Sequence, residues 1–214
     1  MSQPLISIDV VALRYSRSTK QVEVALVRRQ FEPSAGRLAL PGVLLVSGEL
    51  LDDAVHRALR DKAGVMREYV RAIGDVGVFD TPGRDPRGPT LSVTKYVILG
   101  DKFEVGEGVT MVPLADAVGL PFDHDVIIRR GARIVHDKLW VDRGATESLL
   151  GHEFKTSDAA DTQDALAAAA DPQAPKTNRT NLARDLKRIR WLAEPRTGPA
   201  AGEGRPSKVW SFID

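Results

Sequence analysis

Cysteine is absent from the 214 residues. That excludes disulfides and any zinc site built on thiolates, and it fits a reducing compartment. No apolar run approaches the ~18 residues that a membrane helix needs. The opening MSQPLISIDV has no basic stretch ahead of an apolar core, so no secretory signal is expected and the glycosylation sequon Asn178-Arg179-Thr180 is set aside. A cytoplasmic protein with no membrane partner is the expectation. His56, His124, His136 and His152 form no H-E-x-x-H pair, and there is no G-x-S-x-G elbow. An aromatic-rich strand motif for stacking bases is also missing, which weakens an RNA-binding adaptor as a reading. The net charge of +1 says little as a total.

What is present begins with 43% hydrophobic residues, enough for a sizeable core. Strands are predicted over residues 5–15, 22–29, 70–80 and 91–99 from their Val, Ile and Leu content. TPGRDPRGPT, between the last two, reads as a turn or loop. In PGVLLVSGELLDDAVHRALRDKAGV (residues 41–65), Leu51, Val55, Leu59 and Lys62 or Ala63 recur at helical spacing. Asp52 and Asp53 sit in the first turn, and Gly64 stops the helix. Strands on both sides of a central helix predict an α/β sandwich. Asp123 is a candidate N-cap for a helix over 124–140, with His124 as a capping or packing residue. VDRGATES, small and polar, marks a boundary between domains 1–142 and 149–214.

The second half splits by charge. Residues 151–173 carry Lys155 alone against Glu153, Asp158, Asp161, Asp164 and Asp171. Residues 174–214 carry nine Lys and Arg against four Asp and Glu. An acidic, alanine-rich helix (156–170), a break, a basic helix (178–191), GPAAGEGRPSK and a strand (209–213) together follow the plan of a winged helix-turn-helix. Lys176, Asn178, Arg179, Thr180, Asn181, Arg184, Lys187, Arg205, Ser207 and Lys208 are the candidate contacts to double-stranded DNA.

The 41–65 stretch resembles the Nudix box, G-x5-E-x7-R-E-U-x-E-E-x-G-U. Val43 falls on the first glycine, Glu49 on the first glutamate, Arg57 on the arginine, and Gly64-Val65 on the closing pair. The three glutamates that hold Mg²⁺ or Mn²⁺ in that family fall on Ala58, Asp61 and Lys62. One carboxylate beside a fixed ammonium is a poor site for a hard cation. The residues therefore predict a Nudix-type fold with no metal, no catalytic residue and no cofactor, and not an enzyme. LVRRQFEPSAGRLALPG, FDTPGRDPRGPTLSVTKYVIL and LPFDHDVII resemble, more narrowly, the Nudix-related transcriptional regulators of NAD metabolism (the NrtR family). That resemblance implies a homodimeric repressor of NAD synthesis or salvage genes that reads a palindromic operator and senses ADP-ribose or a related metabolite. Arg28, Arg29, Phe31, Arg37, Phe79 and Arg87 are the candidate effector contacts, because pyrophosphate suits arginine forks and adenine stacks on phenylalanine. The alternative is a Nudix hydrolase of ADP-ribose or another nucleoside diphosphate with an accessory basic domain, its metal held by Glu49, Asp61 and Glu68 or Asp80.

Overall fold

The computed structural model describes residues 3–100, 106, 108–198 and 208–213. In chain order the strands are β1 (Leu5–Ser16), β2 (Gln21–Arg28), β3 (Leu38–Ala39), β4 (Gly42–Leu44), β5 (Val70–Phe79), β6 (Thr90–Leu99), β7 (Val109–Pro113), β8 (Glu153–Lys155), β9 (Arg196–Thr197) and β10 (Lys208–Ser211). The helices are α1 (Leu51–Ala63), α2 (His124–Lys138), α3 (Arg143–Leu150), α4 (Thr156–Ala170) and α5 (Arg179–Leu186). This is a mixed α/β fold. Among the described residues no helix is long and apolar enough to cross a membrane.

The larger sheet runs β3-β2-β1-β6-β5. β1 lies parallel to β6 along most of its length, while its other edge is shared. Leu13–Ser16 pair with β2, and Ser7–Asp9 pair with β4. The parting of β2 and β4 along one edge of β1 leaves a gap, and the candidate site lies there. Period-2 alternation sorts β1 cleanly. Ile8, Val10 and Ala12 pack with Val55, Ala58 and Leu59 of α1 in one core. Val11, Leu13 and Tyr15 pack on the opposite side with Ile127, Ile128 and Val135 of α2.

That second core continues without a break into Leu149, Phe154, Ala160, Leu166, Leu182 and Trp210. The two halves of the chain therefore share one hydrophobic core. Side-chain bonds cross the same boundary: Tyr15 Oη donates to Asp158 Oδ1 (3.4 Å), Arg17 Nη2 to the Glu153 carbonyl (2.7 Å), and Trp140 Nε1 to Gln163 Oε1 (2.8 Å). A small antiparallel sheet, β8-β10-β9, completes the C-terminal part together with α3, α4 and α5.

Two local expectations need correcting, and VDRGATES, the expected boundary segment, forms most of a helix. Asp142 accepts from Ala145 N (3.0 Å) and starts α3, whose Ala145, Leu149 and Leu150 are buried at helical spacing. Asp123 holds the N-cap position of α2 but does not cap it with its side chain, since it sits in the left-handed region (φ 59°) and makes no side-chain cap bond. The basic helix is also shorter than expected. Beyond Leu186 the bonds tighten to Arg188–Asp185, Ile189–Leu186 and Leu192–Ile189, so the chain turns instead of continuing as a helix.

Candidate functional site

A cavity of about 550 Å³ opens at the gap between β2 and β4, a size that suits a nucleotide. The N-terminal half of β1 supplies its floor with Ser7 and Asp9, and the C-terminal half of α1 supplies Arg57, Asp61 and Lys62. Arg28 ends β2 and Arg29 and Phe31 follow it, Arg84, Asp85 and Arg87 come from the β5–β6 loop, and Phe122 and His124 lie at the start of α2.

Arg84 organises the floor. Its side chain is 3% exposed and sits 3.0 Å from Asp123 Oδ1 and 3.5 Å from Asp9 Oδ2. It also donates to the Phe122 carbonyl (3.2 Å). Asp9 Oδ2 accepts from Ser92 Oγ (2.6 Å) and Ser7 Oγ (3.2 Å). A Cβ on Gly42 would overlap Asp9 Oδ1, so only glycine allows β4 to approach the floor this closely. Phe122 and Asp123 both have positive φ, 61° and 59°. Such conformations cost on the order of 1–3 kcal/mol each and persist only where the surroundings hold them. Arg84 is the group that holds them. The turn places the Phe122 ring under the Arg29 guanidinium, 4.6 Å from its centroid. It also aims His124 Nδ1 at the Leu40 N–H (3.0 Å). Burial pushes the His124 pKa below the ordinary histidine range. The neutral ring this favours is the form that can accept that bond.

Six cationic and four acidic side chains line the cavity. Three of the cations already have carboxylate partners: Arg57 with Glu49, Arg87 with Asp85, and Arg84 with Asp9 and Asp123. The hydrogen bond from Arg57 holds the Glu49 carboxyl below its usual range, and Arg87 does the same to Asp85. Arg28 and Arg29 donate instead to backbone carbonyls, those of Gly36 and Pro33. Burial, and then the charge of Arg87, lowers the Arg29 pKa, which marks a guanidinium that a bound anion would stabilise.

Of the effector contacts expected from sequence, Arg28, Arg29, Phe31 and Arg87 line the cavity. The other two lie elsewhere. Phe79 is in the core under Arg130, whose Cζ is 5.6 Å from the ring, and exposed Arg37 donates to the Gly119 carbonyl. Sequence reading passed over Ser7, Asp9 and Arg84 as cavity residues. The signal was polar residues at alternate positions of two strands rich in apolar residues: Ser7 and Asp9 in β1, Ser92 and Thr94 in β6.

The metal set that the box implies does not fit these residues. Ala58 is fully buried against the sheet, Asp61 pairs with Arg60 (2.7 Å), and Glu49 is occupied by Arg57. Among the described residues no group of three His, Asp or Glu side chains comes together as a metal site, and that includes Glu49, Asp61 and Glu68 or Asp80.

The candidate DNA contacts form a separate surface. Asn178 is committed as the N-cap of α5, its carboxamide accepting from Thr180 N (3.0 Å) and Asn181 N (3.1 Å). Arg179, Thr180, Asn181, Arg184 and Lys187 are exposed, while Leu182 and Leu186 are buried on the opposite side. Arg179 pairs with Asp161 (3.0 Å) and Lys187 with Glu194 (3.1 Å). Lys176, before the helix, and Lys208, at the start of β10, are exposed. Arg205 and Ser207 lie outside the described residues.

No family model matches the chain. A curated relative, the ADP-ribose pyrophosphatase of Methanocaldococcus jannaschii, is 31% identical over 114 residues, which span 51% of this chain and 66% of that protein. The crystal structure of Shewanella oneidensis NrtR complexed with a 27mer DNA aligns with 97% of this chain and 93% of its own, with a TM-score of 0.69 and 22% identity. The NUDIX domain of the same NrtR, complexed with ADP ribose, aligns with 63% of this chain and 90% of its own, with a TM-score of 0.54 and 27% identity. The chain resembles the Nudix-related NrtR regulators along nearly its whole length and has their mixed α/β fold. One expectation is overturned: the reading that the chain is not an enzyme does not stand beside a relative that is named as a pyrophosphatase.

Proposed function

We propose that the chain is a DNA-binding transcriptional repressor whose Nudix-type domain, residues 1–142, binds ADP-ribose or a related NAD metabolite. Residues 149–214 form its winged helix-turn-helix, with α5 as the recognition helix; the expected wing lies largely outside the described residues. Two copies read a palindromic operator of NAD synthesis or salvage genes. The effector lies in the β2–β4 cavity, its pyrophosphate against Arg28, Arg29 and Arg87 and its adenine against Phe31.

The observation that carries this reading is the two-sided character of α5. Its apolar side is spent on the core, and its outward side offers the exposed side chains of Thr180, Asn181 and Arg184, the last of which meets only its exposed neighbour Asp185 (3.6 Å). Direct readout of base edges uses such side chains. Arg184→Ala is expected to weaken operator binding by ~1–3 kcal/mol and relax preference at one base pair. Lys208→Ala is expected to weaken all sequences alike and flatten the salt dependence. Mobility shifts on genomic fragments at several salt concentrations check both. Equal operator affinity for Arg184→Ala and the parent would remove α5 as the reader.

Hydrolysis of ADP-ribose in the same cavity is the second reading, favoured by the curated relative. Release of AMP from ADP-ribose, followed with and without Mg²⁺, decides it. The two readings are compatible, since a regulator that slowly consumes its effector resets itself.

A further inference from the structure

We propose that Lys62 takes the place of the divalent cation of the Nudix box, so that this cavity binds a nucleoside diphosphate without metal. The inference rests on the reading of the cavity as the effector site. Arg57, Ala58, Asp61 and Lys62 fall on one face of α1 by their helical spacing, and the first and last two of them line the cavity. In the box this face would gather carboxylates around a cation. Here Ala58 is fully buried among Ile8, Val10 and Val55, Asp61 is turned to Arg60, and Lys62 is the charge left on the wall.

The charge balance points the same way. A diphosphate linking two ribosides carries about two negative charges, which hydrolases of this type meet with bound cations. The cavity already holds three cations without a carboxylate partner among the described residues, Arg28, Arg29 and Lys62, against one lining carboxylate without a cation partner, Glu32. Arg28 and Arg29 enter from the β2 side and Lys62 from α1, so a diphosphate spanning the opening meets positive charge at both walls. A lysine ammonium is a compact point charge on a flexible stem, and it takes phosphate oxygens without demanding a fixed geometry.

The test measures ADP-ribose binding to the full chain by calorimetry, once in EDTA and once in millimolar MgCl₂. The parent is expected to bind with the same Kd in both buffers. Lys62→Gln, at an exposed helical position, is expected to weaken binding by about 10–100-fold in both, the scale of one charge-assisted hydrogen bond. Lys62→Glu is expected to bind still more weakly in EDTA and to recover partly with Mg²⁺, because it sets a second carboxylate beside Asp61. Parent binding that vanishes in EDTA, or Lys62→Gln binding as tightly as the parent, would overturn the proposal. A parent that binds ADP-ribose in neither buffer would instead remove the effector site itself, and the role of Lys62 with it.

Discussion

Arg84→Ala is expected to destabilise the fold by roughly 3–5 kcal/mol, because it leaves the carboxylates of Asp9 and Asp123 without their cation in a buried place. The loss exceeds that of a surface ion pair, which contributes about 0–1 kcal/mol. It also reaches the cavity. The bonds from Arg84 hold the Phe122–Asp123 turn in its left-handed conformation. Once released, the turn relaxes, Phe122 leaves Arg29, and His124 leaves the Leu40 N–H. ADP-ribose affinity is therefore expected to fall together with stability. Asp9→Asn and Asp123→Asn, added to Arg84→Ala, remove the stranded charges and are expected to restore part of the stability but not the turn. Urea unfolding midpoints measure the first effect, and calorimetry measures the second. A loss below about 1 kcal/mol would mean that water or a small shift satisfies both carboxylates and that Arg84 does not organise the floor.

The second large effect is expected in the other half. Trp210 is fully buried in β10, paired across the strand with Phe154, and its Nε1 donates to Thr156 Oγ1 (2.9 Å). Phe154 in turn packs against Trp140 and Phe212, with ring centroids 5.9 Å apart in both cases. Trp210→Ala is expected to cost about 3–5 kcal/mol, the usual range for an emptied aromatic site. It also loosens the small sheet in which β10 lies between β8 and β9. Operator binding is expected to disappear in mobility shifts at concentrations where the parent is saturated, while ADP-ribose still binds. Retained operator affinity with a lowered Tm would show that α5 keeps its place without the sheet. Point variants of this kind test the C-terminal half better than its removal. Deleting residues 151–214 would strip Phe154, Leu166 and Trp210 from a core shared with Val11 and Leu13, and so would unsettle both halves.

Periodicity explains what was legible in the sequence. The apolar stripe of α1 and the apolar runs of β1, β2 and β6 each had one arrangement that buries them, and the structure adopts it. The predicted span of α4, residues 156–170, is also the observed one. The site was less legible, because its central groups are fixed by distant partners. Arg84 looks like one more loop arginine until Asp9, 75 residues away, is known to face it. Asp123 before a helical pattern reads as a cap, yet Arg84 draws the carboxylate away and the backbone turns left-handed. Phe79 ends a strand, and nothing local says whether its ring faces the cavity or α2. VDRGATES has the composition of a linker, but Ala145, Leu149 and Leu150 lie four and five residues apart, which is a buried helical stripe.

The central claim is that effector and operator act on one another through this shared core. The decisive measurement titrates operator DNA with the full chain at fixed salt across increasing ADP-ribose. Two recognition helices engage a palindrome only when held near the groove repeat of ~34 Å. α4 packs directly on α2, which begins at the cavity with His124, so a ligand-linked shift there is carried to α5. The account predicts that ADP-ribose lowers operator affinity by about 1–3 kcal/mol, some 5–150-fold, and that operator DNA lowers ADP-ribose affinity by the same factor. An operator affinity that stays constant while ADP-ribose is shown to occupy the cavity would contradict it.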